Sequence, residues 1–252
     1  MKRFINKQTG YGALSVLLMI ALWKMASIHY GSDFILPSPE KTLATTFRLL
    51  GDVAFLSVAG STVLRGLAGF AIAMVLGIGL GIPAGMSQGF RAFMTPFLVV
   101  IRSIPVVAFI LIALIWFSSD DVPVFIALLT MFPLICTNVI EGIKNVDHNL
   151  IEMAEFYHVG RGRIIREVYI PAIAPFLFSG ASNAMGIGWR AIIVGEVLSQ
   201  PRYGIGTVMH SAQTFLNIDV LIAWTLIAVL ISYIFEQIIR GFEHILIKWR
   251  TK

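Results

Sequence analysis

The chain of 252 residues is 57% apolar and 13% charged, with a net charge of +5. A soluble domain is roughly 45–50% apolar and about 25% charged, so a water-soluble globular enzyme and a disordered chain are both excluded, in line with a mean hydropathy of +0.84. The apolar runs are continuous rather than alternating, which excludes a β-barrel and predicts an all-α integral membrane protein.

A bilayer-spanning helix needs about 20 residues, and six such stretches are predicted at 12–30, 61–83, 96–117, 122–141, 173–197 and 219–241. The first follows Met1-Lys2-Arg3 but runs past a signal-peptide core with no A-x-A site after it, so it is expected to stay as an uncleaved span. In segment 31–60, Pro37 and Pro39 favour an extended start. Residues 40–50 are then expected to form a short amphipathic helix on the membrane surface. The second span carries Gly69, Ala73, Gly77, Gly81 and Gly85 at four-residue intervals, a small-residue ridge suited to close helix packing in lipid. Residues 79–84 also fit G-x-G-x-x-A, but inside an apolar helix rather than between a strand and a helix, so a dinucleotide site is not expected. Pro105, Pro133 and Pro175 in the third, fourth and fifth spans each remove a helical hydrogen bond and can kink the helix, or are simply the prolines that membrane helices commonly carry.

Charge distribution sets the topology. With both termini cytoplasmic, the inner segments hold Lys2, Arg3, Lys7, Arg91, Lys144, Arg161, Arg163, Arg166, Arg240, Lys248, Arg250 and Lys252, against Lys41, Arg48 and Arg202 outside. This follows the positive-inside rule, and the net positive charge is read as a topology signal rather than a nucleic-acid footprint.

Segment 142–172, between the fourth and fifth spans, is long, basic and patterned. Asn149 through Glu152 reads as a capping-box variant. Leu150, Ile151, Ala154 and Tyr157 form one apolar face, Gly160 and Gly162 break the helix, and a second short helix over about 163–170 ends before Pro171. Glu152-Met153-Ala154, with Pro171 closing Val168-Tyr169-Ile170-Pro171, resembles the EAA motif of ABC importer permeases. The family's glycine falls on His158, followed by Val159 and Gly160, and Gly160 is expected to supply the turn instead. Ser61 to Phe70, Arg102-Ser103-Ile104-Pro105, Ile115-Trp116-Phe117, Gly195 to Leu198 and Tyr203 to Gly206 also resemble that family. The resemblance covers about 55–241 and is closest to the nitrate/sulfonate/taurine group.

The resemblance implies a type I importer fold with six transmembrane helices and a cytoplasmic coupling-helix loop. It divides the chain into an N-terminal portion 1–54, a permease domain 55–241 and a tail 242–252. It implies that the protein sits in the bacterial cytoplasmic membrane. Its partners would be a second permease copy, with a homodimer favoured, two cytoplasmic ABC ATPase subunits and an extracytoplasmic solute-binding protein. Glu152, Met153, Ala154, His158, Val159, Gly160 and Pro171 would couple to the ATPase, Glu152 either capping its helix as well as touching the ATPase or capping alone. ATP would be bound by that partner, since the chain lacks G-x-x-x-x-G-K-[ST], and no cofactor is expected in this chain.

Arg102, Arg190 and Glu196 are the charged candidates for the translocation pathway. An arginine at mid-membrane costs about 2.5–3.5 kcal/mol on insertion scales, so each faces protein or water. It would attract an anionic solute, or pair with a carboxylate, helix carbonyls or the partner subunit. Glu196 would cap its helix or meet the binding protein. Arg65 and Lys24 are placed near span rims. No two histidines share i, i+3 or i, i+4 spacing, and Cys136 is the only cysteine, so neither a metal site nor an intrachain disulfide is expected. No catalytic constellation is found, which weighs against an intramembrane enzyme. No related halves are visible, which weighs against an ion-coupled secondary transporter.

Overall fold

The computed structural model describes residues 2–246. Residues 247–252 of the predicted basic tail, with Lys248, Arg250 and Lys252, lie outside the described residues, as does Met1. The described chain is helical throughout: α1 (Lys2–Tyr30), α2 (Pro39–Leu50), α3 (Phe55–Met86), α4 (Gln88–Ser103), α5 (Val106–Trp116), α6 (Val122–Lys144), α7 (His148–Phe156), α8 (Arg161–Ile164), α9 (Ile170–Ser199), α10 (Ile205–Thr214) and α11 (Ile218–Leu246). Among the described residues five helices are long and apolar enough to cross a bilayer, and the bent pair α4–α5 makes a sixth.

The core is a three-helix stack of α3, α6 and α9. The small-residue ridge of α3 lies against α6. A β-carbon on Gly69 would stand 2.5 Å from that of Ala127; on Gly77, 2.7 Å from Ile135 Cγ2; on Gly81, 2.8 Å from Val139 Cβ; and on Gly85, 2.6 Å from Ile143 Cδ1. Ala73 within this ridge is fully buried. Both members of these pairs ascend together, so α3 and α6 run parallel in fixed register. Their backbones come close because lipid gives apolar side chains no reason to separate the helices. On the other side of α6 the pairs run in opposite senses. Gly142 meets Ile173 and Phe176, Gly180 meets Asn138, Gly188 meets Met131 and Gly195 meets Pro123. Thus α9 is antiparallel to α6, and the relative directions alternate as the predicted spans require.

Helix α2 is present as expected. Ser38 caps it through Lys41 N–H, Pro39 occupies the first turn, and Thr45 Oγ1 donates to Asp219 Oδ2 at 2.9 Å, fastening α2 to the start of α11. Lys24 of α1 reaches Glu40 at 2.8 Å, and Trp23 Nε1 donates to Pro37 O. The Lys24 hydrogen bond holds the Glu40 carboxyl below its ordinary pKa, and the hydrogen bond to Asp33 raises that of Lys41. Both groups are solvent-exposed, so salt screens these effects.

Two places differ from a plain helix. The third span is broken at Pro105, with α4 and α5 bent by 95°, while Pro133 and Pro175 lie inside continuous helices. Proline removes an amide and drives the preceding residue out of helical geometry. Ile104 (φ −74°, ψ 130°) and Pro105 (φ −57°, ψ 132°) are both extended. The short helix placed at 163–170 does not stop before Pro171. Arg161–Ile164 passes through a π-helical turn, Ile165–Tyr169, directly into α9, with Pro171 in its first turn. There the wider turn accommodates a residue with no amide to donate.

Candidate functional site

The loop between α6 and α9 is built from its caps. Asp147, not Asn149, starts α7: its Oδ1 accepts from Asn149 N at 2.9 Å. The chain leaves α6 at Asn145 and is already extended at Asp147 (φ −66°, ψ 114°), which puts that carboxylate in the capping position two residues early. Glu152 therefore lies past the first turn, and its exposed side chain is not a cap. Helix α7 ends in a Schellman turn. Val159 N donates to Ala154 O and His158 N to Glu155 O, each at 2.9 Å. His158 itself adopts φ +55°, so the turn stays where the motif has glycine, and the expected shift to Gly160 does not occur. Gly160 is extended (φ −60°, ψ 140°) and starts α8. Of the predicted apolar face, Ala154 is buried while Leu150 and Tyr157 are exposed, together with Met153 and Phe156. Ile151 and His148 line a cavity of about 350 Å³ shared with Arg91, Lys144 and Tyr169, which seats α7 beneath the ends of α3 and α6.

At the opposite end of the stack Glu196 is fully buried. Its Oε2 accepts from Thr62 Oγ1 and Gly206 N, both at 2.9 Å, and its Oε1 accepts from Arg65 Nη1 at 2.8 Å. Thr62 Oγ1 in turn accepts from Ile205 N at 2.9 Å. Arg65 also donates to Tyr203 O and pairs with Asp120 of the α5–α6 turn. Gly204 and Gly206 pack so tightly on Glu196 and Ile193 that a β-carbon would come within 2.7 Å and 2.4 Å of them. Glu196 is thus enclosed in a structural knot joining α3, α9 and the α9–α10 turn, and it does not line an open wall as expected of a pathway residue. Sequence reasoning missed Arg65, Thr62 and Asp120 as its partners. The only sequence signal is that Thr62 and Arg65 share a face of α3 at i, i+3.

The two intramembrane arginines stay without a carboxylate partner among the described residues. Arg102, in the last turn of α4, donates through Nη1 to Thr137 Oγ1 at 3.3 Å. It lines a cavity of about 300 Å³ at the α4–α5 break. Among the described residues Arg190 reaches only the Gly186 carbonyl of its own helix, at 3.3 Å. It lines a separate cavity of about 650 Å³ between α9 and α11 with Tyr233, Ser232 and Glu236. Arg190 lies one turn beyond Ile187, which belongs to the wall of the Arg102 cavity.

Residues 73–248 match the family model described as the binding-protein-dependent transport system inner membrane component. The chain is 27% identical over 245 residues to the taurine transport system permease protein TauC of Escherichia coli, covering 94% of this chain and 88% of that protein. It is 30% identical to the putative aliphatic sulfonates transport permease protein SsuC of the same organism, covering 92% and 88%. The bicarbonate transport system permease protein CmpB of Synechococcus elongatus is 28% identical over 62% of this chain and 56% of its own length. Among solved structures, an inward-facing crystal form of the MetNI methionine ABC transporter superposes with a TM-score of 0.60 at 14% identity, covering 80% of this chain and all of that one, which shows the shared fold. The α3–α6–α9 stack, the loop around α7 and the match over most of the length agree: the chain belongs to the family of ABC importer permeases, multi-pass transport subunits of the inner membrane rather than enzymes.

Proposed function

We propose that this permease carries a small anion of the sulfonate, taurine or nitrate type across the cytoplasmic membrane, driven by a separate ATPase and supplied by an external binding protein. The observation that carries the ATPase part is α7. It stands at the end of the stack with Leu150, Met153, Phe156 and Tyr157 exposed outside the predicted spans, where water makes such a face costly unless a partner covers it. Two copies of the chain pair, each presenting α7 to a groove of one ATPase, with both termini on that cytoplasmic side. Glu152, Met153, Ala154, His158, Val159 and Gly160 form the coupling segment, and Pro171 sits where it joins the fifth span. ATP binding favours one of two global states, and α7 passes that bias to the pore. Arg102 and Arg190 supply the positive charge along the path. The solute class is supported by the relatives' names and by two arginines that have no carboxylate partner among the described residues.

The test is uptake into vesicles containing the permease with and without its co-expressed ATPase and binding protein. Accumulation of a radiolabelled sulfonate should require ATP and both partners. Equal accumulation without the ATPase would overturn the reading.

A further inference from the structure

We infer that the cavity at the α4–α5 break is a hydrated mid-membrane binding site for a compact monoanion, with the Arg102 guanidinium as its charge partner. This rests on the proposal that the chain moves a small anion, and it names the place where that anion is held.

Depth comes first. Helix α6 rises about 34 Å over its length, close to the roughly 30 Å of hydrocarbon in a bilayer. Thr130 and Leu134, in the cavity wall, lie about 12 and 18 Å from its Val122 end. The cavity is therefore near the bilayer midplane. At that depth, non-helical backbone is tolerated only where protein buries it or water reaches it. Ile101, Arg102, Ile104 and Val106 form both the break and the cavity wall. Beside it, the amides of Val106 and Val107 and the carbonyls of Ile101 and Arg102 have no hydrogen-bond partner among the described residues. Those groups call for water or a polar ligand in the cavity.

Charge decides which ligand. Among the described residues Arg102 meets only the neutral Thr137 hydroxyl, and a midplane arginine with no counter-charge is costly. A mobile anion satisfies it. The Arg190 cavity suits an anion less well, because Glu236, paired with Arg240 at 2.5 Å, stands in its wall. Size narrows the class. About 300 Å³ is the lower end of small-ligand sites, which fits an oxyanion head on a short carbon stem. Apart from Thr130 and the backbone of the break, the remaining wall is apolar, so Arg102 is the one charge that holds the anion.

The experiment places a cysteine at Thr130, and separately at Leu134, in the full chain in membrane vesicles. It compares modification by sulfonatoethyl methanethiosulfonate with modification by its trimethylammonioethyl counterpart, each rate normalised to a free thiol. A thiol in lipid reacts with neither. The expected result is a preference for the anionic reagent of about tenfold or more, as one nearby charge would give in a partly screened interior. Arg102→Gln should collapse the preference towards unity and Arg102→Lys should keep most of it, while millimolar methanesulfonate slows the reaction. Native Cys136, enclosed in the α3–α6 core, is the control expected not to react. Unreactive cysteines at both positions, or a preference unaffected by Arg102→Gln, would overturn the inference. Uptake measured in parallel separates the two readings. ATP-driven sulfonate uptake with no Arg102-dependent preference removes this site and leaves the function. The preference without uptake of any anion supports the site and removes the proposed solute class.

Discussion

Arg65 and Glu196, 131 residues apart in the chain, meet at 2.8 Å inside the helix stack, where Glu196 has no exposed surface and the Arg65 side chain retains 11%. Removing one member of such a pair leaves an uncompensated buried charge and costs about 3–5 kcal/mol, whereas replacing both by apolar residues of similar size is often neutral or better. Arg65→Met and Glu196→Met should therefore each lower the thermal midpoint of the detergent-solubilised protein strongly. The double variant should lose less than the sum of the two, though not recover fully, because the Thr62 hydroxyl and Gly206 amide still lose their acceptor. Additive losses would show that the two side chains do not act as a pair.

The α3–α6 register yields a sharper contrast. A β-carbon at Gly81 falls 2.8 Å from Val139 Cβ and 3.2 Å from the Cys136 carbonyl, while one at Gly79, two residues away, meets nothing within 4 Å. Gly81→Ala should cost about 1–3 kcal/mol through overpacking. Gly79→Ala should be neutral or gain up to about 1 kcal/mol from helix propensity. Thermal unfolding of the two variants side by side checks this, and equal effects would contradict the register.

What the sequence discloses is local. Hydropathy marks the spans, and the four-residue glycine spacing marks the packed face of α3. The misses share one cause: each depends on what lies beside a residue in space. Pro105, Pro133 and Pro175 look alike as letters, yet only the residue before Pro105 leaves helical geometry, at the wall of a cavity. Glu196 reads as a rim charge because nothing nearby in sequence announces Thr62, Arg65 and the Gly206 amide. Asp147 and Asn149 are both fit to cap α7, and the exit geometry of α6 chooses between them.

His158 carries a cost that glycine would not. At φ +55° an L-residue loses roughly 1–2 kcal/mol, softened for histidine, which enters this region more often than most. Part of that is returned because glycine makes the unfolded chain freer. His158→Gly is expected to stabilise α7 by up to about 1 kcal/mol, and His158→Val to destabilise it by more. Hydrogen exchange of the Val159 amide, which closes the turn, reports this directly: slower exchange in the glycine variant and faster in the valine variant.

The same geometry sorts substitutions by their effect on coupling, under the proposed role of α7. Glu152 is exposed and uncapped, so Glu152→Ala leaves α7 intact and removes only a group available to the ATPase. Proline separates the two candidate turn residues. Gly160 already has φ −60°, with no neighbour within 4 Å of a β-carbon, values that proline adopts without strain. His158 has positive φ, and its amide is bonded to Glu155 O, so proline there destroys the turn. In vesicles holding permease, ATPase and binding protein, Glu152→Ala and His158→Pro should cut uptake per ATP hydrolysed severalfold, while Gly160→Pro keeps most of it. Loss of coupling in Gly160→Pro with retention in His158→Pro would place the critical turn at Gly160 and reverse the assignment.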